Sequence, residues 1–214
     1  MATIEQVLPN EIEKRSMQII GEELAEMGIE LDPRNEAVIK RVIHTSADFD
    51  YATNLAFSEG AVDAGVAALK RGATIVTDTK MAWSGISKPA LAKLGADAQC
   101  YMSDPDIAQA AKDNGTTRAV ACMNKAARLE GDVIIAVGNA PTALIELDKL
   151  IKDGRISPAL VIGVPVGFVN VVASKEIIME SGVPYIVARG RKGGSNIAAA
   201  ICNAMLYEAT GREL

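Results

Sequence analysis

From Gly72 onward the chain alternates short β-branched runs with stretches long enough for a helix, and this alternation limits the folds open to it more than any other feature. The runs fall at residues 73–76, 98–102, 133–137, 160–162 and 185–187, with helical patterns at 88–94, 104–114, 118–129, 142–152, 175–181 and 196–210. Five strands separated by helices predict a parallel sheet, because parallel neighbours need a crossover and the crossover is usually a helix. Right-handed crossovers put the helices on both faces. Ahead of this unit, Ile12, Met17, Ile19, Ile20 and Leu24 recur at helical spacing over residues 10–27 and stop at Gly28. A second helical pattern follows Pro33 and runs toward His44.

A length of 214 residues can bury one sizeable core, and no stretch resembles a linker, so one domain over 1–214 is expected. The 49% hydrophobic content with only 4% aromatic residues suits Ala, Val, Ile and Leu packed as helices on buried parallel strands. A net charge of −5, with no basic run interleaved with aromatics, argues against nucleic acid as a partner. No apolar stretch reaches eighteen residues, and Met1 to Gln6 lack the basic-then-apolar form of a signal peptide. The expectation is a cytoplasmic protein with no membrane partner. Cys100, Cys122 and Cys202 lie far apart, are odd in number and sit among small or apolar residues, so they read as reduced core residues. With one histidine and no paired cysteines, no protein-held metal and no cofactor are expected.

In open α/β sheets, ligands bind outside the carboxyl ends of the strands. The four loops expected there are Thr77-Asp78-Thr79-Lys80-Met81, Gly138-Asn139-Ala140-Pro141-Thr142, Gly163-Val164-Pro165-Val166-Gly167-Phe168 and Gly190-Arg191-Lys192-Gly193-Gly194-Ser195-Asn196. The last combines fixed positive charge with glycines at a helix start, where backbone N–H groups are free to meet an anion. It also reads as a plain turn with a serine cap. The third is apolar and tight, a wall rather than a polar clamp. None has the spacing of a standard nucleotide-binding loop. Arg118, at a helix start after Thr116 and Thr117, suits a carboxylate grip or a solvated surface equally.

His44 is the only group whose ordinary pKa lies near neutrality, and Arg41, Thr45, Ser46, Asp48 and Asp50 surround it in sequence. One reading is a core imidazole satisfied by a backbone carbonyl; the other is a proton donor near a helix C-terminus, which favours the imidazolium.

The string Arg41-Val42-Ile43-His44-Thr45-Ser46-Ala47-Asp48, together with the segments 138–144, 158–169 and 190–196, closely resembles the precorrin-8X methylmutase family, also called cobalt-precorrin-8 methylmutase, of cobalamin biosynthesis. The resemblance spans nearly the whole chain, in order. It implies a three-layer α/β/α sandwich with a five-stranded, mainly parallel, flavodoxin-like sheet. It also implies a homodimer with the site near the subunit interface and a corrinoid substrate held by its carboxylates. The implied reaction moves a methyl group from carbon 11 to carbon 12 of the macrocycle, with His44 as the proton donor. By the same resemblance Ser16, Arg41, Thr45, Asp78, Met81, Arg118, Asn139, Arg191 and Ser195 are substrate-binding candidates. Two other functions share parts of this pattern. A non-catalytic corrinoid carrier would need the carboxylate grips but not His44, and a phosphate-binding regulatory domain would use 190–196 alone.

Overall fold

The computed structural model describes residues 6–9 and 11–212. Asn10, where the sequence pattern starts the first helix, lies outside the described residues, as do Met1 to Glu5, most of the segment read against a signal peptide. The helices and strands in chain order are α1 (Ile12–Glu26), α2 (Glu36–Ser46), α3 (Tyr51–Asn54), β1 (Leu55–Phe57), α4 (Ala61–Lys70), β2 (Thr74–Thr77), α5 (Lys80–Gly85), α6 (Lys88–Leu94) and β3 (Asp97–Gln99). After a short 3-10 turn at Tyr101–Ser103 come α7 (Pro105–Asp113), α8 (Arg118–Ala126), β4 (Val133–Val137), α9 (Pro141–Lys152), β5 (Leu160–Gly163), α10 (Val171–Met179), β6 (Tyr185–Ala188) and α11 (Ser195–Ala209).

The sheet runs β1-β6-β5-β4-β2-β3. Strands β2 to β6 are parallel and take the flavodoxin-like order, while β1 is antiparallel beside β6, so the sheet has six strands rather than the five expected. The sixth pairs Leu55 with Ala188 and Phe57 with Ile186. Three residues are too few to show a period-2 pattern, which is why β1 is not legible in the sequence. Its effect is functional: it brings the segment after α2 beside the loop that leaves β6, and Arg189 N–H extends the pairing by donating to Asn54 O at 2.9 Å.

Period-2 alternation divides the strand side chains between two cores. Ile75, Ile134, Ala136, Leu160, Ile162 and Ile186 join a cluster with α1, α2, α4, α6 and α11. Val76, Ile135, Val137, Val161 and Val187 pack with α7 to α10. In α1, Met17, Ile20 and Leu24 are buried whereas Ile12, which shares their spacing, is exposed. Burial on both faces makes each central strand expensive to truncate: an Ile134→Ala or Ile135→Ala change should cost about 2–5 kcal/mol.

The strand order reverses between β2 and β4, since β3 lies outside β2 while β4 and β5 run the other way. The carboxyl ends of β2 and β4 therefore flank the crevice where open α/β sheets bind ligands.

Candidate active site at the carboxyl edge of the sheet

His44 lies in the last turn of α2, which ends at Ala47 in the left-handed region with φ of 52°. Helix α1 packs alongside and sets Ser16 Oγ 2.7 Å from His44 Nδ1. Nε2 has no hydrogen-bond partner among the described residues, and the imidazole is exposed rather than packed in the core.

One turn back on α2, Arg41 is buried and bonded to Glu13 Oε1. Arg212 binds the other oxygen of Glu13 at 2.6 Å, and both guanidiniums lie over the Tyr207 ring. Burial works to raise the Glu13 carboxyl, but the hydrogen bond and charge of Arg41, with Arg212 and His44 nearby, hold it below the usual carboxylate range. Arg41, a candidate grip from the sequence, is thus engaged inside the protein, where it clamps α1 to α2 and keeps Ser16 against His44. Thr45 is exposed, with its hydroxyl donating to Arg41 O at 3.0 Å.

At the crevice, Asp78 directly follows β2 and is 1% exposed. Its Oδ1 accepts from Gly138 N–H at 2.8 Å, and its Oδ2 accepts from Asn139 N–H at 2.9 Å and Ala140 N–H at 2.6 Å. Burial pushes this carboxyl above its ordinary range, and the three N–H donors oppose that shift. A carboxylate so enclosed holds the shape of the loop after β4, with both oxygens of the candidate grip Asp78 engaged by backbone N–H groups. Thr79 caps α5 by accepting from Ala82 N–H at 3.1 Å, and its hydroxyl also lies 2.7 Å from Ser195 Oγ. Ser195 is therefore the first residue of α11 tied to the β2 loop; the position before the helix is Gly194, not a serine cap.

Two glycines show how tightly these loops meet. A Cβ on Gly138 would lie 2.7 Å from Ser195 Cα, and one on Gly193 would lie 2.1 Å from Val164 O. Gly194 N–H donates to that same Val164 oxygen at 2.8 Å, and Gly167 N–H donates to Arg191 O at 3.2 Å. The loops after β2, β4, β5 and β6 form one interlocked surface, as the sequence reading expects.

Lys192 joins this surface to the His44 segment. Its Nζ lies 2.6 Å from Asp48 Oδ2 and 2.5 Å from Asp50 Oδ2. The lysine hydrogen bond holds the Asp48 carboxyl below the ordinary range, and the two carboxylates raise the lysine. The sequence shows both partners but not the pairing, which spans 144 positions.

Around this frame, Met81, Arg118, Asn139 and Arg191 are exposed. Arg191 stacks over the Phe168 ring at 5.3 Å, and Phe168 is itself 82% exposed. Arg118 opens α8, whose cap Thr117 meets Thr142 Oγ1 at 3.2 Å, so that helix start stands beside the loop after β4. The edge is open. A cavity of about 780 Å³ lies instead between α7 and α8 and is lined by none of the candidate residues.

Among the described residues no group of three or more His, Cys, Asp or Glu side chains could hold a metal. The three cysteines are free, and burial pushes the Cys122 and Cys202 thiols up to about 12, so neither is a ready nucleophile. No described helix is long and apolar enough to cross a membrane.

Folded this way, the chain is a flavodoxin-like α/β protein whose open sheet edge exposes the cations Arg118 and Arg191 and the apolar side chains Met81 and Phe168. The profile of the precorrin-8X methylmutase family matches residues 11–208. Cobalt-precorrin-8 methylmutase of Salmonella typhimurium is 45% identical over 203 residues, covering 93% of this chain and 95% of that one. Precorrin-8X methylmutase of Pseudomonas aeruginosa is 41% identical over 200 residues, covering 92% and 94%. The crystal structure of precorrin-8X methyl mutase from Thermus thermophilus superposes with a TM-score of 0.85 at 37% identity, covering 95% of this chain and all of that one. The chain belongs to the precorrin-8X methylmutase family.

Proposed function

We propose that this protein is the isomerase of its family, acting on precorrin-8X or its cobalt-bearing counterpart and moving a methyl group from carbon 11 to carbon 12 of the macrocycle to give hydrogenobyrinic or cobyrinic acid. The observation that carries the catalytic part is the Ser16–His44 hydrogen bond of 2.7 Å at the open edge, which engages Nδ1 and leaves Nε2 for the ligand. His44 serves as the acid: its imidazolium lends a proton from Nε2 to the macrocycle, which becomes electron-poor. The bond from the methyl to carbon 11 then breaks as the bond to carbon 12 forms. Substrate and product are isomers, so the proton returns to His44 and no oxidant or reductant is consumed. General acid catalysis of this kind is typically worth about 10² to 10⁴ in rate.

The substrate is a corrinoid, and its carboxylates meet Arg118, Arg191, the hydroxyls near Ser195 and the amide of Asn139. The apolar face of the ring lies against Met81 and Phe168. Asp78 and Arg41 act one step back, shaping the loop after β4 and the α1–α2 pair. Exposed Met81, Phe168 and Val169 beside the site support a homodimer in which a second copy closes the open edge. The carrier reading is not favoured, since the relatives compared are named as methylmutases.

Incubating the protein with precorrin-8X bearing a ¹³C-labelled methyl on carbon 11 tests the reaction. The expected result is an unchanged mass and transfer of the label to carbon 12. Unaltered substrate at stoichiometric enzyme would defeat the isomerase reading.

A further inference from the structure

Lys175 is fully buried in α10, yet its ammonium has no carboxylate partner among the described residues. Nζ donates instead to two backbone carbonyls of the loop after β6, Gly190 O at 2.9 Å and Lys192 O at 2.8 Å. The carbonyl between them, Arg191 O, accepts from Gly167 N–H at 3.2 Å. Each of three consecutive carbonyls thereby has a donor within the protein. In a trans peptide the N–H points opposite to the C=O, and none of these bonds is cis. The N–H groups of Arg191 and Gly193 consequently point away from Lys175 and that of Lys192 points away from Gly167, and none of the three has an acceptor among the described residues. Successive N–H groups without internal acceptors suit an anion, and the first of them belongs to Arg191, whose guanidinium lies over the exposed Phe168 ring.

Stability alone does not account for this lysine. A buried ammonium is costly to desolvate, and a methionine of similar length would fill the same space without that cost. The carbonyls it holds belong to an exposed loop, so without Nζ they can rotate toward water and carry their N–H groups inward.

We propose that Lys175 is a positioning residue that locks the 190–193 peptides with their N–H groups facing a carboxylate of the substrate. This rests on the reading of that loop as part of the corrinoid site. Lys175 touches no reacting atom; it acts through the loop.

The test uses the full-length protein carrying Lys175→Met, with steady-state turnover of precorrin-8X and titration with hydrogenobyrinic acid. The expected result is a KM and a product Kd raised at least ten-fold, a kcat within three-fold of wild type and an undiminished Tm. Adding Arg191→Ala to Lys175→Met should weaken binding less than the product of the single effects, because both act on one carboxylate grip. An unchanged KM, or a loss confined to kcat, overturns the proposal. Should the methionine variant fail to fold, amide hydrogen exchange on the wild type decides: Arg191, Lys192 and Gly193 should exchange freely alone and become protected with hydrogenobyrinic acid. No added protection overturns the proposal. A wild type that neither binds the pigment nor converts precorrin-8X defeats the functional reading itself, a result distinct from a failure of the Lys175 variants alone.

Discussion

Replacing Asp78 with asparagine keeps the shape of the side chain but removes its charge and one acceptor. The cradle it serves has three donors, Gly138 N–H on Oδ1 and Asn139 and Ala140 N–H on Oδ2. The best asparagine orientation leaves its oxygen on the two donors at Oδ2 and sets its NH₂ against Gly138 N–H. That buried donor then lacks a partner, a loss of about 1–3 kcal/mol. The two remaining bonds change from charge-assisted to neutral, each weaker by about 1 kcal/mol. Part of this is offset because a neutral amide is cheaper to bury than a carboxylate, the same effect that pushes the Asp78 carboxyl up. The net expectation is a destabilisation of about 2–4 kcal/mol, or a Tm lowered by roughly 5–15 °C for a chain of this size. Thermal unfolding followed by circular dichroism checks it. A Tm within 2 °C of wild type, with only KM raised, would refute the cradle and make Asp78 the direct substrate grip that the sequence suggests.

Ser16→Ala should lower kcat roughly 2- to 12-fold with little change in KM, the worth of one hydrogen bond of about 0.5–1.5 kcal/mol orienting the imidazole; an unaltered kcat would show that His44 is oriented by something else. Burial holds the Lys175 ammonium at about 8 against 10.5 for an exposed lysine. Between those values the unfolded chain keeps a proton that the native protein has released, so this group makes stability rise with pH, by about 3 kcal/mol across the window. Urea midpoints of wild type relative to Lys175→Met should therefore climb from pH 8 to 10.5, and a flat or falling difference contradicts the assignment. Lys192→Met removes the tie to Asp48 and Asp50 at the exposed edge, so KM should rise several-fold in dilute buffer, and the gap from wild type should shrink at 1 M salt as screening removes the wild-type advantage. A gap that widens with salt would point to packing rather than charge.

The central strands β4 and β5 are legible in the sequence because each is an uninterrupted apolar run buried on both faces, whereas the edge strand β3, Asp97–Gln99, buries only Ala98 and shows in the sequence only as the run at 98–102. Helix α4 is not, since its Ala-rich segment starts after Gly60 in the left-handed region and contains Gly65, which reads as a helix breaker. In the fold Gly65 is a packing choice: a Cβ there would lie 2.5 Å from Met205 Sδ on α11. The candidate site divides the same way. Its loops stand out by their glycines and cations, and their convergence follows from the strand order. What the sequence conceals is which polar groups turn inward. Asp78, Arg41 and Lys175 look like solvent-facing charges, and only partners 28 positions away for Arg41, at least 60 for Asp78 and at least 15 for Lys175 draw them inside.

The central claim is that His44 supplies the proton, and the absorbance spectrum over time tests it most directly, because the methyl shift alters the conjugated chromophore. Wild-type and His44→Ala proteins would each be mixed with precorrin-8X, metal-free and cobalt-bearing. His44 is exposed, so its removal should leave folding within about 0.5 kcal/mol of wild type. The account predicts that both proteins bind the pigment and only the wild type converts it, with the variant slower by about 10² to 10⁴. Conversion by the variant at a rate near wild type would contradict it and leave catalysis to the shape of the site alone.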